Sequence, residues 1–170
     1  VGLIDKLTGT QHPESGVVPL SAAEVRTALF AVNRPDLPYR VRNALPAEKA
    51  DLVAEWHVLE PAWGSGLSRR QVERTFKTRM RLVAAKHELR ACDEQREVTR
   101  AGGPPGRVVS RKYGRGPKII TVSWRGHYEQ GPDGRRQRVE EFRFDSRDMR
   151  DRLQAAVLGA GWTWRGVLRP

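Results

Sequence analysis

The chain has 170 residues, with 31 Lys/Arg against 20 Asp/Glu, a formal net charge of +11 and a single cysteine. That length suits one domain with its own hydrophobic core. One cysteine excludes an intramolecular disulfide framework and a cysteine-rich zinc site, and no apolar run reaches the length of a membrane-spanning helix.

The opening "VGLIDKLTGT" has no apolar core of signal-peptide length, so a cytoplasmic location is expected. The charge is uneven. Residues 1–60 carry 6 Lys/Arg and 8 Asp/Glu, whereas residues 61–170 carry 25 and 12. Such asymmetry points to an anionic partner, because summed charge creates a long-range potential. The competing explanation is composition, since 25 of the 31 basic residues are arginine.

Residues 1–20 contain turn formers without periodicity and read as an irregular arm, ordered if at all by Leu3, Ile4 and Leu7. A helix follows at "LSAAEVRTALFAV". Ser21 and Glu24 have capping-box spacing, Val25, Leu29 and Val32 form the apolar stripe, and Asn33 and Pro35 end it. "PYRVRNALPAEKADLVAEWHVLEP" reads as two strands joined by a turn, the second placing Leu52, Ala54, Trp56 and Val58 on one side.

Residues 63–99 admit two readings. A single helix from Ser68 would align Val72, Phe76, Met80 and Val83, with Arg70, Arg74, Lys77 and Arg81 on the opposite face as a phosphate-facing stripe. Alternatively the helix ends near Phe76 and a strand follows, with Phe76, Thr78, Met80 and Leu82 inward and Lys77, Arg79 and Arg81 outward. "VAAKH" then turns the chain into a strand from Glu88 to Thr99. The clean alternation favours the second reading.

Residues 101–117 read as a long flexible basic loop. The stretch "RVVSRKYGRGPK" offers Arg111, Lys112, Arg115 and Lys118 as phosphate contacts and Tyr113 as a stacking platform. Beyond it, "KIITVSWRGHY" and "QRVEEFRF" flank a Pro-Asp-Gly turn and read as a hairpin, with Ile120, Val122, Trp124 and Tyr128 on one face. Asp145 is placed to cap the last helix, whose buried face is Met149, Leu153, Ala156, Val157 and Ala160. Gly159 and Gly161 stop it, and "WTWRGVL" closes the domain as a strand. The expected fold is α+β: a mostly antiparallel sheet with a helix near each end and a short helix mid-chain, forming one domain over 21–170.

The segments "ADLVAEWHVLEPAW", "RMRLVAAKHELRA" and "LQAAVLGAGWTWRGV" resemble a family of uncharacterised proteins from high-GC Gram-positive bacteria. The resemblance extends over most of the chain and implies no catalytic residue and no cofactor. It favours a strand after Phe76 and sets the basic stretch at 107–118 apart as a peculiarity of this chain.

No constellation for catalysis stands out. His12, His57, His87 and His127 lack metal-ligand spacing. "WGSGLS" only echoes a nucleophile elbow, and Cys92 sits where a small buried residue is expected. Glu140 and Glu141, adjacent on a strand, point to opposite faces. "YGRGPK" is not a Walker or dinucleotide motif, and "LSRRQVERTFK" lacks the preceding helix of a helix-turn-helix. Trp56, Trp124, Trp162 and Trp164 read as core. The expectation is a non-enzymatic binding domain without cofactor or membrane partner. The alternative is electrostatic nucleic-acid binding through Arg111, Lys112, Tyr113, Arg115 and Lys118, extended by Arg70, Arg74, Lys77 and Arg81.

Overall fold

The computed structural model describes residues 9–103, 106–117, 119–124, 128–130, 136–138 and 142–170. Helix α1 (Ala22–Phe30) starts as its sequence dictates: the Ser21 hydroxyl accepts from the Glu24 amide while the Glu24 carboxylate accepts from the Ser21 amide. Strands β1 (Tyr39–Asn43) and β2 (Leu52–Leu59) follow. Next come two long strands, β3 (Arg70–Val83) and β4 (Glu88–Ala101), and then β5 (Arg107–Arg115). Two short antiparallel pairs lie between β5 and the last helix. These are β6 (Thr121–Trp124) with β9 (Phe142–Asp145), and β7 (Tyr128–Gln130) with β8 (Arg136–Arg138). Helix α2 (Arg147–Gly159) and strand β10 (Thr163–Gly166) complete the chain.

The main sheet has six strands. Its order is β1-β2-β3-β4-β10, with β5 also paired to β4. All of its pairings are antiparallel except β10 on β4, which is parallel. Strands β10 and β5 share one edge of β4: β10 spans Glu88–Ala91 and β5 spans Glu94–Ala101. They meet at residues 92 and 93, where the Gly116 amide donates to the Asp93 carbonyl and the Val167 amide to that of Ala91.

Successive strand residues face opposite sides of a sheet, so the register defines two faces. The inner face carries Tyr39, Val41, Leu52, Ala54, Trp56, Phe76, Met80, Leu89 and Trp164, all buried. Against it pack Val25 and Leu29 of α1, Met149, Leu153 and Val157 of α2, and Phe144 of β9. Rings of Tyr39, Trp56, Phe144 and Phe76 form a continuous chain. Centroid separations are 5.3 Å for Tyr39–Trp56, 4.5 Å for Trp56–Phe144 and 4.6 Å for Phe144–Phe76. Such contacts contribute beyond burial alone.

Four expectations need correction. The short mid-chain helix is absent: β3 begins at Arg70, preceded only by a 3₁₀ turn at Gly66–Ser68. Ladder bonds to strands on both sides outweigh the helical propensity of the Arg, Glu, Lys and Met residues here. The stretch at 101–117 is not a loop, because 107–115 pair with β4 with one irregularity at Thr99/Arg100. The N-cap of α2 is Ser146; Asp145, one residue earlier, accepts from the Arg147 amide at 2.9 Å and from its guanidinium. The arm is partly ordered as well. Gln11 makes a two-bond bridge to Trp164, and the Leu20 carbonyl accepts from the indole of Trp162 at 2.7 Å. Leu3, Ile4, Leu7 and the Pro-Asp-Gly turn lie outside the described residues.

Helix α2 ends in a Schellman arrangement, the Trp162 amide donating to the Val157 carbonyl and the Gly161 amide to that of Leu158. Gly161 has φ +74°, and a Cβ there would lie 2.8 Å from Pro19 Cα. Gly161→Ala is therefore expected to lower stability by about 2 kcal/mol. Gly159→Ala, inside the helix with nothing within 4 Å of the new methyl, should raise it by about 0.5–1 kcal/mol. Urea midpoints at constant m-value check both, and equal effects would refute the role given to the arm.

Candidate nucleic-acid interface

The second face of the sheet is built from the alternate residues of the same strands. Reading across partners, one row is His57, Thr75, Arg96 and Tyr113 on β2, β3, β4 and β5. The next row, toward the β3–β4 turn, is Arg40, Glu55, Lys77, Glu94 and Arg115, strictly alternating in charge over five strands. Beyond it Arg81, Arg90 and Arg165 stand side by side on β3, β4 and β10. No described element packs across the row containing Arg96 and Tyr113, and His57, Arg96 and Tyr113 are exposed there, Tyr113 by 62%.

The sequence-derived candidates divide between the two faces. Lys77, Arg81, Arg111, Tyr113 and Arg115 lie on this open face. Arg70, Arg74 and Lys112 lie on the inner face, so the stripe of four basic residues expected from a helix does not exist. Residues four apart share a helical face, and so do residues four apart on a strand, but the step of three from Arg74 to Lys77 changes sides on a strand. Lys118 lies outside the described residues. Arg40, His57, Arg90, Arg96 and Arg165 were not among the anion contacts expected from the sequence. The signal for Arg90 and Arg96 was present, because once 88–101 is a strand they share a side with Glu94 and Arg100.

One end of the open face is an ion-pair lattice. Glu48, on the 3₁₀ turn Pro46–Glu48, accepts from both terminal nitrogens of Arg42 at 2.8 and 2.7 Å and from the Leu45 amide at 2.7 Å. Lys77 lies 3.5 Å from it, and its backbone carbonyl accepts from Arg79 at 2.7 Å. Glu55 binds Arg42 and Lys77 at 3.2 and 3.1 Å. Glu94 bridges Arg79 and Arg115 at 2.5 and 3.0 Å, and Glu88 bridges Arg90 and Arg165 at 2.9 and 3.0 Å. Beneath this lattice Val53 and Cys92 have no exposed surface. The Cys92 thiol donates to the Leu168 carbonyl and burial pushes its pKa up, so it is a packed group and not a poised nucleophile.

The paired guanidinium of Arg42 holds the Glu48 carboxyl down at about 2. Burial pushes Glu55 and Glu88 up, but the cations beside them outweigh it and both titrate below the ordinary range. Away from the lattice the face changes character. Arg81, Arg96 and Arg111 are exposed and have no acidic partner among the described residues. Arg115 leans on the Tyr113 ring, 5.8 Å from its centroid, and donates to its hydroxyl at 2.9 Å. Arg96 and Arg111 thus stand beside one exposed aromatic ring, whereas Arg81 lies past the charged row, opposite Arg90.

In comparisons with known proteins, no family model matches the chain, and no curated protein or solved structure is significantly similar to it. Among the described residues no helix is long and apolar enough to cross a membrane.

Glu48 gives a pH prediction. Its folded pKa lies below the ordinary value of 4.5, so its stabilisation is complete above pH 4.5 and is lost as pH falls toward 2. Glu48→Gln is expected to remove about 1 kcal/mol at neutral pH and to flatten the acid limb of the stability curve. A carboxyl titration followed by NMR that inflects near 4.5 for Glu48 would remove it from the lattice.

Proposed function

We propose that this chain is a non-enzymatic binding domain whose ligand is single-stranded nucleic acid, held on the open face of the sheet. The observation that carries this reading is the row of His57, Thr75, Arg96 and Tyr113, flanked by Arg111 and Arg115 and left uncovered by any described element. Arg111, Tyr113 and Arg115 alternate along β5, which spaces their side chains by about 6.8 Å. An aromatic ring set between guanidinium groups can stack a base while the arginines neutralise the phosphates on either side. The cross-strand order supports this over a purely compositional account of the arginines. In the lattice every acid is bridged by two cations, whereas Arg81, Arg96 and Arg111 are left for a partner.

A sheet face reads unstacked bases, so single strands should bind more tightly than duplexes of the same length. Fluorescence anisotropy with short oligonucleotides across a salt series tests this. Arg96→Gln with Arg111→Gln should reduce the slope of log K against log salt by about 0.7 per lost phosphate contact. Tyr113→Ala should cost about 1–3 kcal/mol with the slope unchanged. Arg70→Gln, on the inner face, should bind like the parent. Absence of binding at low salt, or equal losses from Arg70→Gln and Arg96→Gln, would refute the assignment.

A further inference from the structure

On the inner face, past Phe76, the sheet is not fully covered, and a cavity of about 500 Å³ opens over β3, β4 and β5. That volume falls in the range of small-molecule sites. Its lining includes Arg74, Phe76, Gln95, Glu97, Lys112 and Ile120. The cavity is also bordered by Glu94, Arg96, Tyr113 and Arg115, which alternate in the register with the inner-face residues Gln95, Glu97, Lys112 and Gly114.

The polar inventory decides what it can take. Both carboxylates pointing into it are already used. Glu97 accepts from Arg74 and lies 3.3 Å from Lys112. Asp93 accepts from the Thr78 hydroxyl at 2.7 Å and from Arg150. Arg74 is pinned between Glu60, at 2.5 Å, and Glu97, with only 18% of its side chain exposed. Its remaining terminal nitrogen has no partner among the described residues, and neither has the carboxamide of Gln95. That carboxamide lies over Gly114, where a Cβ would come within 2.7 Å of its nitrogen. Glycine at 114 is what lets Gln95 lie flat along the cavity. The groups left over are therefore mainly donors, set beside the edge of Phe76 and the half-buried Ile120.

We propose that this cavity binds a small organic anion with a flat apolar body. The anionic head meets Lys112 and the free nitrogen of Arg74, Gln95 hydrogen-bonds the body, and Phe76 and Ile120 supply the apolar wall. Charge-assisted hydrogen bonds from Arg74 and from the largely exposed Lys112 favour an anionic head at this position.

The test is NMR titration of the full chain with two probes, 1-naphthoate and adenosine 5′-monophosphate, which carry a carboxylate and a phosphate head on a flat ring. Saturable shifts of the Gly114 and Gly116 amides are expected with at least one probe, and the tighter probe identifies the head group. Lys112→Gln, at a largely exposed position, and Gly114→Ala, which displaces Gln95, should each weaken binding by about fivefold or more. Arg81→Gln with Arg111→Gln, outside the lining, should leave it unchanged, which separates this site from the open face. The proposal is overturned if neither probe shifts those glycines, if the shifts fall on the open face, or if Lys112→Gln and Gly114→Ala bind as the parent does while retaining its amide dispersion.

Discussion

Every feature of this molecule depends on the register of β3 against β4. Fourteen consecutive pairs, from Arg70↔Ala101 to Val83↔Glu88, join two strands across a tight turn in which His87 takes a left-handed conformation. A shift of one residue would exchange the two faces of one strand relative to the other. With β4 held in place, Phe76 and Met80 would leave the core and Lys77 and Arg79 would enter it. Burial of the first set and solvation of the second oppose that exchange, so the register is held from both sides of the sheet.

The two faces then solve different problems. The inner face is apolar where the helices and Phe144 cover it, and becomes polar beyond Phe76, where they do not. On the open face the Pro46–Glu48 turn and the Leu168 carbonyl meet the lattice, and the row of His57, Arg96 and Tyr113 is exposed. Ion pairs at an exposed surface contribute little individually, but here the acids are shared between cations and the arginine stems lie over Val53 and Cys92. Arginine suits this task because its stem covers apolar surface while its planar head makes several directed bonds. Arg79 shows the cost of the arrangement: its Nε is buried without a partner among the described residues.

The shared edge of β4 links the proposed surfaces to the fold. Because β10 takes only Glu88–Ala91, the rest of that edge is left for β5, and β5 brings Arg111, Tyr113 and Arg115 to one face and Lys112 and Gly114 to the other. A single strand therefore contributes to both proposed sites. The irregularity of the β4–β5 ladder, at Thr99/Arg100, lies next to the Val98↔Arg111 and Thr99↔Ser110 pairs.

Local signals in the chain determined much of this. The capping box at Ser21, the alternation of Leu52, Ala54, Trp56 and Val58, the inward set from Phe76 to Leu82 and the Gly161 stop all appear in the structure where the sequence places them, because each rests on contacts within a few residues. Residues 70–75 and 107–115 were not legible in the same way. Their charged and glycine-containing stretches have weak intrinsic strand preference, and they become strands because β2, β3 and β4 offer unpaired edges that only the assembled sheet provides. The proposed binding face followed the same rule. The arginines were visible as a charge excess, but which of them stand together was decided by pairing between residues as far apart in the chain as Arg90 and Arg165, a relation that composition and spacing do not encode.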